Sequence, residues 1–183
     1  KRMFARHFID VVRQYPRGTL FVDLFGGSGL LSHITKHFHP DSRVIYNDFD
    51  NYRRRIANIS RTNRLLDLIR PIADRFPRLK PITGDAREEI FALLGQELRD
   101  AGYVDFSALS ASLLFAMKYK LSVEEMRKET IYNKIRKNRF NEAPDYLAGL
   151  EIVSCDYREL FEQYRDTPGV VFLVDPPYLS TDV

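Results

Sequence analysis

The chain has 183 residues, of which 44% are apolar and 29% are charged, and its formal net charge is +3. This length suits one domain, or one domain that carries an insertion, and the composition excludes a disordered or fibrous chain. The single cysteine, Cys155, excludes an intrachain disulfide framework, and no apolar run approaches the roughly 20 residues that a membrane helix needs.

The N-terminal segment predicts an amphipathic helix from about Arg2 to Gln14, which ends before Pro16 and Gly18. The segment mixes charged and aromatic residues and has no apolar signal-peptide region. We therefore expect a soluble cytoplasmic protein. Because the chain does not begin with Met, we also expect the natural protein to extend beyond it.

Strands and helices then alternate. A strand over Thr19–Val22 leads into Asp23 and a glycine-rich turn, and a helix follows from about Leu30 to Phe38. A second strand, Arg43–Tyr46, is followed by a helix from about Tyr52 to Leu68. This order predicts an α/β fold with a Rossmann-like, doubly wound and mostly parallel sheet.

The middle of the chain interrupts the alternation. Pro71, Pro77 and Pro81 predict a loop region, and residues 86–101 and 123–137 are then predicted to be helices. The alternation resumes with a strand at 151–154, a helix at 157–164 and a strand at 170–174. We predict that residues 1–68 form a first core segment and that residues 69–148 form a mainly helical insertion. The chain is then predicted to return to the core at residues 149–183.

Two segments are strongly basic. Residues 52–80 contain nine basic and two acidic side chains. The second segment lies in the predicted insertion, where Tyr132 and Phe140 are interleaved with Arg127, Lys128, Lys134, Arg136, Lys137 and Arg139. Such residues supply phosphate contacts, which position a protein on nucleic acid without specifying sequence. These six residues therefore indicate a face that binds a polyanion; a merely solvated surface is the alternative.

A glycine-rich turn, Phe25-Gly26-Gly27-Ser28-Gly29, follows Asp23 at the end of the first strand. Glycines at this point let the backbone approach a ligand closely. No G-K-[ST] follows, which argues against a nucleoside triphosphate, and Ser32 stands where a dinucleotide motif requires its third glycine. S-adenosylmethionine has no pyrophosphate and needs no third glycine, and Asp23 could serve its amino group. A tight structural turn is the alternative.

The last predicted strand ends in Asp175-Pro176-Pro177-Tyr178. Proline stiffens a turn and leaves carbonyl groups free to accept hydrogen bonds. A carboxylate beside a carbonyl forms a paired acceptor for an amino group, and Tyr178 offers a flat surface on which a planar base can stack. The motif therefore indicates a site for a planar base that carries an amino group; a structural turn at the end of the strand is the alternative.

The two motifs together resemble the Dam-like DNA adenine-N6 methyltransferases, in which a target-recognition insertion separates the glycine motif from D-P-P-Y. The resemblance implies S-adenosylmethionine as cofactor, the N6 amine of a flipped-out adenine in double-stranded DNA as methyl acceptor, and no metal. It implies that Asp175, Pro176, Pro177 and Tyr178 are the catalytic residues and that the six basic residues of the insertion bind DNA. It implies that Asp48 binds the cofactor's ribose, with Asp50 as the alternative acid. The cofactor-binding residues that it implies are Lys1, Asp23, Phe25, Gly27, Ser28, Gly29, Asp48, Asp156 and Tyr157.

The family continues for several strands after D-P-P-Y, so the resemblance implies that C-terminal strands are missing from a chain that stops at Val183. Three alternatives stay open: an RNA or other amino-methyltransferase, a DNA-binding fragment or subunit without a complete catalytic domain, and a nicotinamide-dependent oxidoreductase, which Ser32 disfavours. We expect a monomer or weak dimer, with a cognate restriction endonuclease as a partner to test for.

His33, His37 and His39 are predicted to be a solvent-facing group rather than zinc ligands.

Overall fold

The computed structural model describes residues 2–115 and 118–176. In chain order its elements are α1 (Arg2–Val12), β1 (Phe21–Asp23), α2 (Leu30–Phe38), β2 (Val44–Asn47), α3 (Tyr52–Ala57), α4 (Ile59–Ala73), α5 (Gly84–Ala101), α6 (Phe106–Leu113), α7 (Val123–Arg127), β3 (Glu151–Val153), α8 (Tyr157–Tyr164) and β4 (Val171–Leu173). Over these described ranges, no helix is both long and apolar enough to cross a membrane.

The chain divides into two compact units. The core unit comprises residues 1–56 and 143–183, and the insert unit comprises residues 57–142. These boundaries differ from the predicted ones, 68/69 and 148/149. The first boundary moves because α4 buries Leu65, Leu66 and Ile69 in the same apolar cluster as Ile90 of α5, so α4 packs within the insert unit.

The core unit contains a parallel sheet, in which the described strands lie in the order β3-β2-β1-β4. In the register, Val22 lies opposite Ile45 of β2 and Phe172 of β4. Because all four strands run in the same direction, their carboxyl ends meet at one edge of the sheet. The predicted α/β class with a parallel sheet is confirmed.

Both faces of this sheet are apolar. Successive side chains of a strand point to opposite faces, so Phe21 packs with Leu31 of α2, whereas Val22 packs with Leu160 of α8. β1 and β2 are buried along their whole length. Helices therefore cover both faces, which is the doubly wound arrangement that the alternation predicted.

The predicted helix over Tyr52–Leu68 is wrong in two respects. It breaks into α3 and α4 at Asn58, and α4 continues through Pro71 to Ala73. Proline cannot donate the backbone hydrogen bond of a helix interior, which was the reason to expect a loop there. Ile72 and Ala73, which directly follow Pro71, are both buried in the apolar cluster, and this packing holds the last turn.

The predicted helix over 123–137 is also wrong, because α7 ends at Arg127. The β-branched residue Ile131 is fully buried, and its carbonyl accepts a hydrogen bond from the amide of Ile82 at 2.9 Å. Tyr132 forms an antiparallel bridge with Pro81. Extended pairing with residues 80–82 thus replaces the helix, and the basic residues beyond Arg127 do not share a helical face.

Candidate active site

A cavity of about 610 Å³ lies in the core unit at the carboxyl edge of the sheet. Its wall comes from α1, from the start of α2, and from the segments that follow all four strands. The lining residues are Phe4, Leu24, Phe25, Gly26, Gly27, Ser28, Leu30, Leu31, Asn47, Phe49, Asp50, Cys155, Asp156, Tyr157 and Asp175. The volume falls in the range of small-molecule sites, roughly 300 to 1,000 Å³.

The glycine turn lines this cavity and requires glycine for two reasons. Gly27 and Gly29 have φ angles of +49° and +72°, in the left-handed region that side chains rarely adopt. Gly26 has no room for a side chain, because a Cβ atom would collide with the Tyr46 ring and the Asn47 carbonyl oxygen. The sequence motif identified Gly27 and Gly29, but the need for glycine at position 26 depends on how closely β2 approaches.

Asp23 is 1% exposed and is not among the residues that line the cavity. Its Oδ2 atom accepts a hydrogen bond from the Ser32 hydroxyl at 2.7 Å, while Oδ1 has no hydrogen-bond partner within the described residues. Burial raises the pKa of Asp23 from 3.8 to about 6, although the Ser32 hydrogen bond opposes the shift. A buried acceptor oxygen without a donor is costly, so a ligand group that donates a hydrogen bond to Oδ1 would be stabilised.

The two candidate ribose acids differ in their surroundings. Asp48 is 3% exposed; its Oδ1 accepts hydrogen bonds from the Tyr46 hydroxyl and the Tyr52 amide, and its Oδ2 accepts one from the Arg53 amide at 3.2 Å. Asp48 therefore caps the first turn of α3. Asp50 is exposed and lines the cavity. The structure thus adds Asp50 to the wall and gives Asp48 a structural role.

Asp156 and Tyr157, two of the predicted cofactor-binding residues, lie on the same wall. The Tyr157 ring packs against the Phe25 ring, with centroids 4.7 Å apart and planes inclined by 35°. The Asp156 carboxylate accepts a hydrogen bond from the Arg158 amide at 2.8 Å and so caps α8. Two segments that are far apart in the sequence thereby form one continuous aromatic surface.

The first two residues of the predicted catalytic motif follow β4. Asp175 and Pro176 are exposed, and Asp175 lines the cavity. The charge of Asp175 contributes to the raised pKa of Asp23, after the larger effect of burial. The fold thus brings Asp175 to the same cavity as the glycine turn. The other predicted residues Pro177, Tyr178 and Lys1 lie outside the described residues.

The charge of the cavity wall discriminates between ligand classes. Three carboxylates, those of Asp50, Asp156 and Asp175, belong to the wall, and within the described residues no Lys, Arg or His does. A pyrophosphate would require donors or positive charge here, whereas an ammonium or sulfonium group and ribose hydroxyls match carboxylates. The residues present therefore fit S-adenosylmethionine better than a dinucleotide.

The six predicted DNA-binding residues lie in the insert unit, where most of them contact other residues of that unit. Arg127 pairs with Glu88 at 2.6 Å, and Arg139 pairs with Asp67. The Lys134 ammonium donates to the Leu114 carbonyl, and the Arg136 guanidinium lies over the Phe140 ring. The side chains of Lys128 and Lys137 are exposed and have no partner within the part of the chain that the structure describes.

The histidines do not form the predicted solvent-facing group. His39 is 7% exposed, and its Nε2 atom lies 2.8 Å from the Val12 carbonyl oxygen. The His33 ring stacks on the Tyr146 ring with centroids 4.3 Å apart, and of these three histidines only His37 is exposed. Among the residues described, no three or more His, Cys, Asp or Glu side chains are grouped to hold a metal ion.

Comparison with known proteins identifies relatives of the chain. The sequence model of a family described as "D12 class N6 adenine-specific DNA methyltransferase" matches residues 1–182. A curated protein of Haemophilus influenzae named "Putative methyltransferase" is 36% identical over 187 residues, which cover 99% of this chain and 62% of that protein. The chain thus spans less than two thirds of that relative's length. No solved structure matches the chain.

Proposed function

The chain belongs to the D12 class N6 adenine-specific DNA methyltransferase family, and from that premise we propose that it transfers a methyl group from S-adenosylmethionine to the N6 amine of a flipped-out adenine in DNA. One observation carries the proposal. Asp175 and the glycine turn line the same cavity, and the charged side chains on its described wall are carboxylates. The cofactor and the acceptor amine can therefore meet at one site.

Bound S-adenosylmethionine supplies an electrophilic methyl group on a sulfonium. In the proposal, Phe25, Gly27, Ser28 and Gly29 pack against the cofactor, and Asp156 with Tyr157 contacts its adenine. Asp23 serves the amino group, and Asp48 remains the proposed ribose acid, with Asp50 as its competitor on the wall. Lys1 is proposed as a further contact from the N-terminal side.

The acceptor is a poor nucleophile, because the lone pair of the adenine amine is delocalised into the ring. It is also out of reach in a duplex, and flipping the base out costs a few kcal/mol. Stacking on Tyr178 would return about 1–3 kcal/mol. In the proposal, the amine donates hydrogen bonds to the Asp175 carboxylate and to a backbone carbonyl, which we assign to Pro176, and Pro177 has the role of restricting the motif.

Asp175 then has two effects on the reaction. As an acceptor it would localise the lone pair on the nitrogen and so make that nitrogen a better nucleophile toward the methyl group that the cofactor would supply. As an anion it stabilises the positive charge that develops on the nitrogen in the transition state. No covalent enzyme intermediate would be needed: the N–CH3 bond would form as the S–CH3 bond of the sulfonium breaks, which leaves a neutral thioether, and the methylated nitrogen would release its extra proton to solvent.

The insert unit is proposed to bind the DNA backbone. Lys128 and Lys137, whose side chains are exposed, are the members of the predicted set best placed for phosphate contacts. The others, Arg127, Lys134, Arg136 and Arg139, stay in the proposal with weaker support, since each already contacts a group within the insert unit.

Transfer of a tritiated methyl group by the full-length protein tests the function. The substrates are duplex DNA, single-stranded DNA and RNA, each followed by nucleoside analysis of the product. We expect N6-methyladenine in duplex DNA, and no transfer to a matched duplex whose adenines already carry the N6-methyl group. Label in RNA alone, or in cytosine, would identify a different amino-methyltransferase, and binding without transfer would identify a DNA-binding protein.

A further inference from the structure

Asn47, the last residue of β2, is 1% exposed and uses its side chain to join two other segments. Its Nδ2 group donates hydrogen bonds to the carbonyl oxygens of Leu24 and Cys155, each at 3.0 Å. Its Oδ1 atom accepts a hydrogen bond from the amide of Cys155 at 3.1 Å. One amide side chain thus contacts the backbone after β1 and the backbone after β3.

These contacts lie just beyond the ends of the paired strands. The register pairs Asp23 of β1 with Tyr46, and Asn47 with Val153 of β3. Leu24 is one residue past the end of β1, and Cys155 is two residues past the end of β3. The Asn47 amide therefore continues the cross-strand hydrogen bonding where the backbone ladder has stopped.

Both segments that Asn47 joins line the cavity. Leu24 leads directly into Phe25 and the glycine turn, and Cys155 precedes Asp156 and Tyr157. The Phe25 and Tyr157 rings, which contact each other, sit on these two segments. A single buried side chain thus bridges the two segments that carry these rings.

Asn47 itself borders the cavity, but both of its amide hydrogens are donated to backbone carbonyls. It therefore has no donor to offer a ligand. We propose that Asn47 is a positioning residue of the cofactor site, which holds the glycine turn and the Asp156-Tyr157 segment at the separation that the methyl donor requires. This inference rests on the proposed function.

The insert unit offers a matched control. Asn63 of α4 is 4% exposed, and its Nδ2 group donates to the Phe140 carbonyl at 2.9 Å. Its Oδ1 atom accepts from the Phe140 amide at 2.8 Å. Asn63 has the same chemistry and burial as Asn47 and also fixes a backbone segment, but neither Asn63 nor Phe140 lines the cavity.

The experiment compares Asn47→Ala, Asn47→Asp and Asn63→Ala in the full-length protein. Calorimetry gives the Kd for S-adenosylmethionine well below the Tm of each variant, and steady-state kinetics give KM for cofactor and for DNA. Unsatisfied carbonyls and a loosened wall should raise the cofactor Kd about 10-fold in Asn47→Ala. KM for DNA should stay unchanged, and Asn63→Ala should lower Tm but leave the cofactor Kd within about 2-fold.

Asn47→Asp separates the effect of the lost hydrogen bonds on the cofactor Kd from the effect of the lost side-chain volume. Aspartate fills the same space and would attract a cationic ligand, but it has no donor for the two carbonyls, so the Kd should rise at least as much as in Asn47→Ala. Should Asn47→Ala fail to fold, Asn47→Ser, which keeps one donor, provides the same comparison with Asn63→Ala.

Two results would overturn the inference: a cofactor Kd in Asn47→Asp equal to that of the wild type, or equal Kd values in the Asn47 variants and Asn63→Ala. Absence of S-adenosylmethionine binding by the wild type would instead refute the proposed function.

Discussion

The charged side chains of the insert unit and those of the cavity wall in the core unit have different surroundings. In the insert unit, opposite charges meet within the unit: Arg127 pairs with Glu88, Arg75 with Glu89 at 2.8 Å, and Arg139 with Asp67. In the core unit, three carboxylates lie on a cavity wall that has no basic side chain among the residues described. Charges that are paired add little stability each, about 0–1 kcal/mol at a surface, whereas a wall of one sign selects its ligand.

Two buried asparagines, one in each unit, also differ in what their contacts hold in place. Asn63 joins α4 to Phe140, and its contacts account for local structure only. Asn47 has nearly identical contacts, but the segments that it joins border the cavity. The chemistry of a side chain therefore does not reveal its role; the role depends on which segments the side chain holds.

Among the carboxylates of the cavity wall, we expect the largest effect of a substitution at Asp175. In Asp175→Asn the side chain still accepts a hydrogen bond but loses the charge that matters most in the transition state. We expect the methyl transfer rate to fall on the order of 10²- to 10³-fold, while the cofactor Kd changes little. Single-turnover transfer to duplex DNA by the full-length protein measures this. The exposed Asp10→Asn in α1 is the control, and near-wild-type turnover of Asp175→Asn would refute the mechanism.

The next effect distinguishes the two candidate ribose acids. Asp48→Ala removes a carboxylate that accepts hydrogen bonds from Tyr46, Tyr52 and Arg53, so we expect a lower Tm together with a cofactor Kd raised about 10- to 100-fold. Asp50→Ala removes an exposed carboxylate and should leave Tm unchanged. Calorimetry and thermal unfolding of both variants decide the assignment. A larger affinity loss in Asp50→Ala would transfer the ribose role to Asp50.

A pH effect of about 10-fold is expected from Asp23. Its pKa of about 6 means that the carboxyl is mostly neutral at pH 5 and mostly ionised at pH 7.5. If the ionised form serves the cofactor's amino group, the cofactor Kd should be about 10-fold weaker at pH 5 than at pH 7.5. Calorimetry at both values of pH checks this, and Asp23→Asn should abolish the difference. A wild-type Kd that is independent of pH would remove Asp23 from the proposed site.

The raised pKa of Asp23 also predicts how the stability of the fold changes with pH. Because the folded-state pKa of Asp23 lies above the ordinary 3.8, the folded protein binds the proton more tightly than the unfolded chain. The free energy of unfolding contributed by this group should be greatest below about pH 4 and fall as the pH rises to about 6. Asp23→Asn should flatten that decline, which denaturant titrations between pH 4 and 7 would show.

Parts of this site that depend on residues close together in the sequence were predicted well, and parts that depend on residues far apart in the sequence were not. The elements around Asp23, Asp48 and Asp175 were predicted closely, because alternating apolar runs and glycine or proline motifs are local signals. The roles of Gly26 and Asn47 were missed, since they depend on neighbouring strands. The helix past Arg127 was predicted wrongly because burial of Ile131 and pairing with residues 80–82 are not local.

The smallest effect concerns the insert unit and would test whether its surface reaches DNA. Replacing Lys128 and Lys137 with Ala should flatten the slope of log affinity against log salt by about 0.9 for each lost phosphate contact. Fluorescence anisotropy with labelled duplex DNA at several salt concentrations measures the slope. Arg99→Ala, which removes an exposed charge of α5 outside the predicted set, is the comparison and should leave the slope unchanged. An unchanged slope in the double variant would move the DNA site elsewhere, first to the basic residues of segment 52–80.

The central claim is that the acidic cavity at the carboxyl edge of the core unit holds a cationic methyl donor. Calorimetric titration of the full-length protein with S-adenosylmethionine, and separately with NAD, tests it most directly. The claim predicts saturable one-site binding of S-adenosylmethionine that weakens in Asp48→Ala, and no binding of NAD. Tight binding of NAD with no response to S-adenosylmethionine would contradict it.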